Sequence, residues 1–486
     1  MLTATRWACT LLLVVAVPAL AQSSQAPAAA SRTTATSATT ASVSTVPVAN
    51  TSPSAAPQES GRRRLAQWDE AIKDIPLAGE RPITLTIGGQ ARWREEFFRA
   101  FNTGELDDDH GQSRILISAD LQVGERTGRY ARLFAEGRDA QSYGRSLPGG
   151  ARPNDADRSD VQNLWIDLGS NKSYLRVGRQ EISLAAQRLF GVPDWSNTRR
   201  GSQGVRLYTE HGRFAFEGIQ ARPMVVRQYA RNHADTTQQF RTLSLGSAAG
   251  AAPLWRGLPA TWQAYWYEQQ IESASAPVRR LTTGGRLMWD WGKKSALARS
   301  LEFEGAKQGG AIGARRLDGW FWVGEATVRW TRLRGAPSLA IGIEEASGEN
   351  RATANRQEAF AVLYPAAHAH GGYADVIGRT NVRELHLFST WSPVRSVNLR
   401  FAAYRFDRLR LDDGVWTKQN SVFRAASGST ARHAADELDL TGVWKATTHT
   451  QVIFGGALVL PGAFLRNTPG GARTERWGFV GTAFTF

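Results

Sequence analysis

Residues 83–97 read ITLTIGGQARWREEF, and the period of two in this stretch decides the fold. Ile83, Leu85, Ile87, Gly89, Ala91 and Trp93 fall on one side of an extended chain, while Thr84, Thr86, Gln90, Arg92 and Arg94 fall on the other. One side suits lipid and the other suits water. The same alternation returns at Ile115, Ile117, Ala119, Leu121 and Val123, and at Leu438, Leu440, Gly442 and Trp444. The row Trp320, Trp322, Gly324, Ala326, Val328 and Trp330 carries aromatics at both ends, as a membrane-facing strand with interface girdles requires.

Eighteen such segments lie between residues 82 and 486, an even number, as in outer-membrane barrels of a single chain. Short connections at Ser392-Pro393 and Thr447-Thr448 contrast with long ones at 346–378 and 409–435, which predicts tight turns at one end and loops at the other. The expected fold is therefore all-β, a transmembrane antiparallel barrel over 82–486. The last stretch alternates through Trp477, Phe479 and Gly481 and closes on Phe486. An aromatic final residue of this kind is expected to address the chain to the outer-membrane assembly machinery.

The leading residues give the compartment. Arg6 precedes an apolar run from Thr10 to Leu20, and Ala19-Leu20-Ala21 is a small-residue cleavage pattern, so 1–21 is read as a secretory signal peptide. The run is shorter than the roughly 20 apolar residues a membrane-spanning helix needs. Residues 22–60 are Ala, Ser, Thr, Pro and Val without period, the composition of a disordered linker. Over 61–81, Leu65, Trp68, Ile72 and Ile75 have helical spacing, which predicts a short periplasmic segment or a plug at the barrel mouth. The single cysteine, Cys9, lies in the signal, leaving no disulfide downstream. The resulting address is the outer membrane of a Gram-negative bacterium, with its lipid as surroundings.

The formal charge is +15, and only seven of the 59 basic residues are lysine. Coding bias can replace lysine by arginine, but it does not create an excess of base over acid. Arginine's planar fork matches carboxylate oxygens in two-point contacts. Nucleic acid is not expected as the partner of an exported chain; phosphate-rich or carboxylated oligosaccharides and small organic anions would all use the same arginines. The arginines concentrate in Gly178–Tyr208, GRQEISLAAQRLFGVPDWSNTRRGSQGVRLY, read as a strand, an inserted loop broken at Pro193, Gly201 and Gly204, and a return strand. The loop shows no apolar face of its own, and Asp167, Glu181 and Glu217 are placed to hold unbound arginines in register.

These residues resemble the alginate export family of outer-membrane barrels. The resemblance rests on ITLTIGGQARWREEF, on GRQ at 178–180, on the W-x-N-x-R-x-x-x-x-GVRL arrangement from Trp195 to Leu207, on YPAAHAHGGYADVIGRTNV at 364–382 and on DELDLTGVW at 436–444. It implies an eighteen-stranded barrel with an electropositive lumen that passes an anionic uronate polymer. Within its motifs, Arg92, Arg94, Arg179, Arg199 and Arg206 are the implied pore-lining cations. Strand alternation adds Arg383 and Arg400. The alternatives are a porin for small anions and a barrel enzyme that modifies lipid. For the last, only His386 on a water-facing side offers a base, and no GxSxG, Walker loop or paired-carboxylate motif stands out. His368-x-His370 lies in a Gly-rich stretch with no third ligand at a telling spacing and reads as a surface loop. No catalytic residue, metal or cofactor is expected.

Deleting 22–60 is expected to leave a folded barrel, because the segment has neither core residues nor period. An unboiled gel reads this directly as retention of a heat-shifted band.

Overall fold

The computed structural model describes residues 71–77, 82–125, 128–250, 260–366 and 368–486. The expected signal peptide and linker lie outside these residues. Among the described residues eighteen long strands form one closed antiparallel sheet. They are β1 (Ile83–Arg99), β2 (Asp108–Gly124), β3 (Tyr130–Tyr143), β4 (Asp157–Gly169), β5 (Ser173–Gln180), β6 (Ser202–His211), β7 (Phe214–Val225), β8 (Gln238–Ser247) and β9 (Ala260–Ile271). The second half comprises β10 (Val278–Trp291), β11 (Leu297–Ile312), β12 (Trp320–Trp330), β13 (Ser338–Ala346), β14 (Val382–Val394), β15 (Val397–Arg408), β16 (His433–Lys445), β17 (Thr450–Pro461) and β18 (Glu475–Thr485). β1 pairs with β18 from Gln90 opposite Thr485 to Arg99 opposite Arg476, and this seam closes the barrel.

Strand alternation sorts the side chains as a lipid-facing wall demands. Ile117, Leu168 and Ile341 are 58%, 54% and 63% exposed on the outer face, while Arg92, Arg114 and Asp120 between such residues are buried inside. Trp330, Trp391 and Trp444 stand outward near the short-turn end, and Trp320 stands outward near the loop end. Not all tryptophans serve these girdles, however. Trp165, Trp195 and Trp477 are buried inside.

Several strands run past the expected limits at the loop end, for example β1 to Arg99 and β11 to Ile312. There the outer face carries Glu95, Arg99 and Lys307, so the apolar signal of a lipid-facing strand fades before the ladder does. Ser392 and Pro393 fall inside β14, at an irregularity in its pairing with β15, and the turn itself is 395–396. Below Gln90 the strand β18 no longer covers β1. Phe486 exchanges backbone bonds with Gly89 (2.9 and 3.0 Å), and Ile75-Pro76 pairs with Leu85 and Thr84 on the same edge. A Cβ on Gly89 would sit 2.5 Å from the Phe486 ring, so only glycine admits that aromatic. Of the 61–81 stretch, 61–70 and 78–81 lie outside the described residues; 71–72 form a 3-10 turn and Ile75-Pro76 an extended edge cover. Pro76 fits an edge position because it has no N–H to leave unpaired.

Ile341→Arg is expected to cost about 2–4 kcal/mol, since it puts a guanidinium in mid-membrane. Denaturant titration in lipid vesicles measures it, with an exposed loop-tip arginine substitution as the neutral comparison.

Candidate functional site: a loop-filled cationic lumen

Two long connections at the loop end, 181–201 and 347–381, turn inward and meet inside the barrel. Gly191 N donates to Tyr364 O (2.8 Å) and Tyr364 N donates to Leu189 O (3.0 Å), so they join by a short parallel bridge. The Phe190 ring packs 4.7 Å from both Phe240 on β8 and Tyr364. A Cβ on Gly191 would come within 2.9 Å of Ala366 Cβ, so this crossing needs glycine. Contrary to the sequence expectation, the first loop does own an apolar surface: Ile182, Leu184, Leu189 and Phe190 are buried in a cluster with Phe360, Val362 and Ile377. Their irregular spacing forms no face of a helix or strand, which is why periodicity does not reveal it.

The wall holds this loop through guanidinium groups that bind main-chain oxygen. Arg92 donates to Asp194 O (2.7 Å), to Trp195 O (3.2 Å) and to Asn197 Oδ1 (3.1 Å). Arg94 donates to Trp195 O (2.8 Å), and Arg114 to Asp194 O (3.2 Å) and Ser196 O (3.3 Å). Carboxylates share the load: Arg94 pairs with Glu96 (2.8 Å) and Arg114 with Asp194 (3.0 Å). Burial alone would raise the Asp194 carboxyl, but Arg114, Arg199 and Arg92 hold it well below the usual range, so it stays ionised. The Trp195 ring lies 3.9 Å from the Arg94 guanidinium and among Phe479, His368, Tyr373 and Trp477 at 4.7–5.4 Å.

Of the arginines expected in the pore, Arg92, Arg94, Arg206 and Arg400 point inward. Arg199 sits on the inserted loop with Glu181 and Asp194. Arg206 donates to Glu217 (2.7 Å), and Arg400 lies 4.3 Å over Phe388. Arg179 and Arg383 do not face the lumen. Arg179 shares the outer face with Leu175 and Val177 and binds Asp160, Val161 O and Asn232 O; Arg383 binds Glu345 outside. Residues three apart on a strand face opposite ways, so Arg176 inside entails Arg179 outside, and His386 inside entails Arg383 outside. The three carboxylates expected as partners do pair, Asp167 with Arg176, Glu181 with Arg199 and Glu217 with Arg206.

The sequence reading passed over Arg188, Arg379 and Lys418. With Glu344, Glu384 and His370 they line a cleft of about 390 Å3 of empty space, solvent included, between the inward loops and the wall. Arg188 bridges Glu302 and Glu304, and Arg379 binds Glu344 and Arg188 O (2.6 Å). Lys418 donates to His370 O (2.8 Å) and Gly372 O (2.9 Å) and pairs with Asp375. Arg379 sits within 364–382, one of the stretches that carry the resemblance, and Arg188 within the arginine-rich Gly178–Tyr208, whereas nothing local singles out Lys418.

His368 and His370 are not on a surface loop. His368 is wedged in the Trp195 nest, its Nδ1 paired with Tyr373 O (2.5 Å), and His370 Nε2 is paired with Ala186 O (2.8 Å). Among the described residues no three metal-ligating side chains converge. His386 stands between Glu384 (3.0 Å) and Glu325 (3.4 Å), stacked on Phe388, which is the arrangement of an ion-paired brace.

The alginate export family model matches residues 83–479. The chain belongs to this family. A family member with this closed sheet is an outer-membrane barrel, and that is where the protein resides. Among curated proteins there is no match. Solved Pseudomonas aeruginosa structures share the fold. OccK2 (OpdF) in complex with glucuronate has 10% identity and a TM-score of 0.56, covering 83% of this chain and 96% of that one. OpdK with vanillate has 10% identity and a TM-score of 0.56 over 82% and 98%. OccK11 (OpdR) has 13% identity and a TM-score of 0.54 over 83% and 96%.

Burial lowers the pKa of His368, and burial followed by Arg188 and Arg379 lowers that of His370 far more, so the closed loops hold both rings neutral. The stabilisation is complete above the unfolded value near 6.5 and is lost as pH falls below it towards the depressed folded values. Acidification from pH 7.5 to 5 is therefore expected to increase loop excursions. Limited proteolysis in the 181–201 and 347–381 loops and current noise in bilayers check this. His370→Gln should flatten the response.

Proposed function

We propose that this family member is a channel through which carboxylated sugars, uronate oligomers of the alginate type above all, cross the outer membrane along the cationic side of its loop-filled lumen. The observation that carries the reading is the Arg92, Arg94 and Arg114 wall. It spends most of its hydrogen bonds on neutral carbonyl oxygens, so its charge is only partly cancelled by Glu96 and Asp194. A positive potential inside a low-dielectric wall lowers the barrier for anions, and several weak contacts in series let them leave. Two structures of the same fold, OccK2 (OpdF) in complex with glucuronate and OpdK with vanillate, hold carboxylates and support that ligand class. A second reading, a porin for small organic anions, is favoured by how fully the two loops occupy the lumen.

In planar bilayers under a salt gradient the reversal potential is expected to report anion selectivity. Arg92→Gln with Arg114→Gln should reduce it, because two cations act over a few ångströms, each worth on the order of a few kcal/mol before screening. Cation selectivity in the parent would refute the reading. Block by oligouronates longer than a monomer separates the polymer route from the small-anion one.

A further inference from the structure

The outer face of the barrel is unevenly charged around its loop end. From β13 round to β1 the outward cations are matched, Arg383 by Glu345 (2.5 Å), Arg405 by Asp407 (3.2 Å) and Arg99 by Asp109 (2.5 Å). Arg476 adds one cation there, and Glu95, Asp107 and Asp436 add three carboxylates. Between β8 and β13 the balance reverses. Five cations, Arg241, Arg279, Lys307, Arg316 and Arg356, stand outward against three carboxylates, Glu268, Glu272 and Asp318. Glu268 is shared by Arg241 (3.2 Å) and Arg279 (2.8 Å), and Asp318 by Lys307 and Arg356 (3.6 Å).

Strand register sets three of these cations in one row. Arg279 on β10 is opposite Ala311 on β11, Ala311 is opposite Arg316 on the short strand Arg315–Leu317, and Arg316 is opposite Arg356 on the short strand Arg356–Gln357. Neighbouring strands are about 4.8 Å apart, so Arg316 and Arg356 stand side by side and Arg279 follows across one small residue. Like charges directly opposite destabilise a sheet. Among the described residues the Arg316 guanidinium makes no hydrogen bond or ion pair, and the field of Asp318 that reaches it is already shared with two other cations. Backbone bonds fix the row in this costly arrangement: Arg316 N donates to Asn355 O (3.0 Å) and Asp318 N to Gln357 O (2.9 Å).

The long loops mark this end as the outer surface of the membrane. Lys307 is in register with Trp320, an outward tryptophan of the girdle, and Ala311 lies four residues further on, about 13 Å along the strand. The arginine row therefore stands beyond the hydrocarbon, at the height of headgroup saccharides. Beneath it Leu301 and Phe303 are 42% and 51% exposed, and Trp322 stacks on Phe303 at 6.5 Å. A guanidinium fork takes phosphate oxygens at two points, and an apolar wall takes acyl chains. A phosphorylated glycolipid offers both together, whereas a free anion offers only the first.

We infer that this rim docks one phosphorylated glycolipid of the outer leaflet, its phosphates on Arg279, Arg316 and Arg356 and its acyl chains against Leu301, Phe303 and Trp320. The site lies on the outside of the barrel and does not depend on what crosses the lumen.

Diphosphoryl lipid A is the probe, titrated into the full-length protein in detergent and read by native mass spectrometry. The parent is expected to hold one lipid A per chain and to bind the dephosphorylated form on the order of tenfold or more weakly. Arg316→Gln with Arg356→Gln should weaken lipid A binding by a similar factor, and the corresponding pair of lysine substitutions by less, since the charge remains while the fork is lost. Arg383→Gln, on the balanced side of the rim, should bind as the parent does. Parent-like affinity in the double glutamine variant, or equal binding of the dephosphorylated lipid, overturns the site. An equal loss in Arg383→Gln would mean diffuse attraction around the whole rim and overturns it too. Displacement of lipid A by glucose 1-phosphate at matching concentration would leave a simple anion site and overturn the lipid assignment. If the double variant gives no heat-shifted band, Arg316→Gln alone decides, because its guanidinium has no partner to lose: a several-fold loss supports the site and parent-like binding overturns it.

Discussion

The structure depends on a guanidinium-to-carbonyl contact, made three times over by Arg92, Arg94 and Arg114 against residues 194–196. A loop folded into a barrel brings its own backbone groups out of water, and each buried C=O left unmatched would cost free energy comparable to a lost hydrogen bond. Arginine offers five donors in a rigid fork, so one side chain can serve two carbonyls at once. The wall thereby holds the loop without a helix or a ladder. The same contact leaves the guanidinium charge standing, because a carbonyl is neutral. Holding the loop and charging the lumen are thus one property of these residues.

The inner surface divides into two kinds of arginine. Arg132, Arg176 and Arg206 face carboxylates on neighbouring strands and bring the local charge to near zero. Those bound to main chain, or to little at all, are the sources of positive potential. A count of basic residues does not distinguish the two, since the acceptor opposite decides how much field remains in the lumen.

The barrel was legible because a wall between lipid and water imposes period two on nearly every strand, as Ile83 to Arg94 and Trp320 to Trp330 show. Turns and strand ends beyond the membrane were less so, since Glu95, Arg99 and Lys307 no longer contrast with an inner polar face. Parity alone would have placed Arg179 and Arg383 outside. The loop interior was hidden for a different reason. Ile182, Leu184, Leu189, Phe190 and Tyr364 are buried by a fold-back across more than 150 residues of chain, and irregular backbone gives no repeating pattern to read. Trp195 and Asn197 did stand out in sequence, although what marks them is a set of partners, Arg94, Phe479 and the carbonyls of Ser113 and Asp155, that only the closed sheet assembles.

Trp195 rests on Trp477 and Phe479, which belong to the final strand, while Arg92 and Arg94, which grip its backbone, belong to the first. The guanidinium contacts need only the first two hundred or so residues of chain, but the aromatic side of the nest needs β18 in place at the seam. Pairings of such long sequence separation are slow to form, because loop closure precedes their reward. The seat of the inserted loop is thus shared between charge contacts from the start of the chain and ring contacts from its end. The lumen acquires its finished shape only when the cylinder itself is complete.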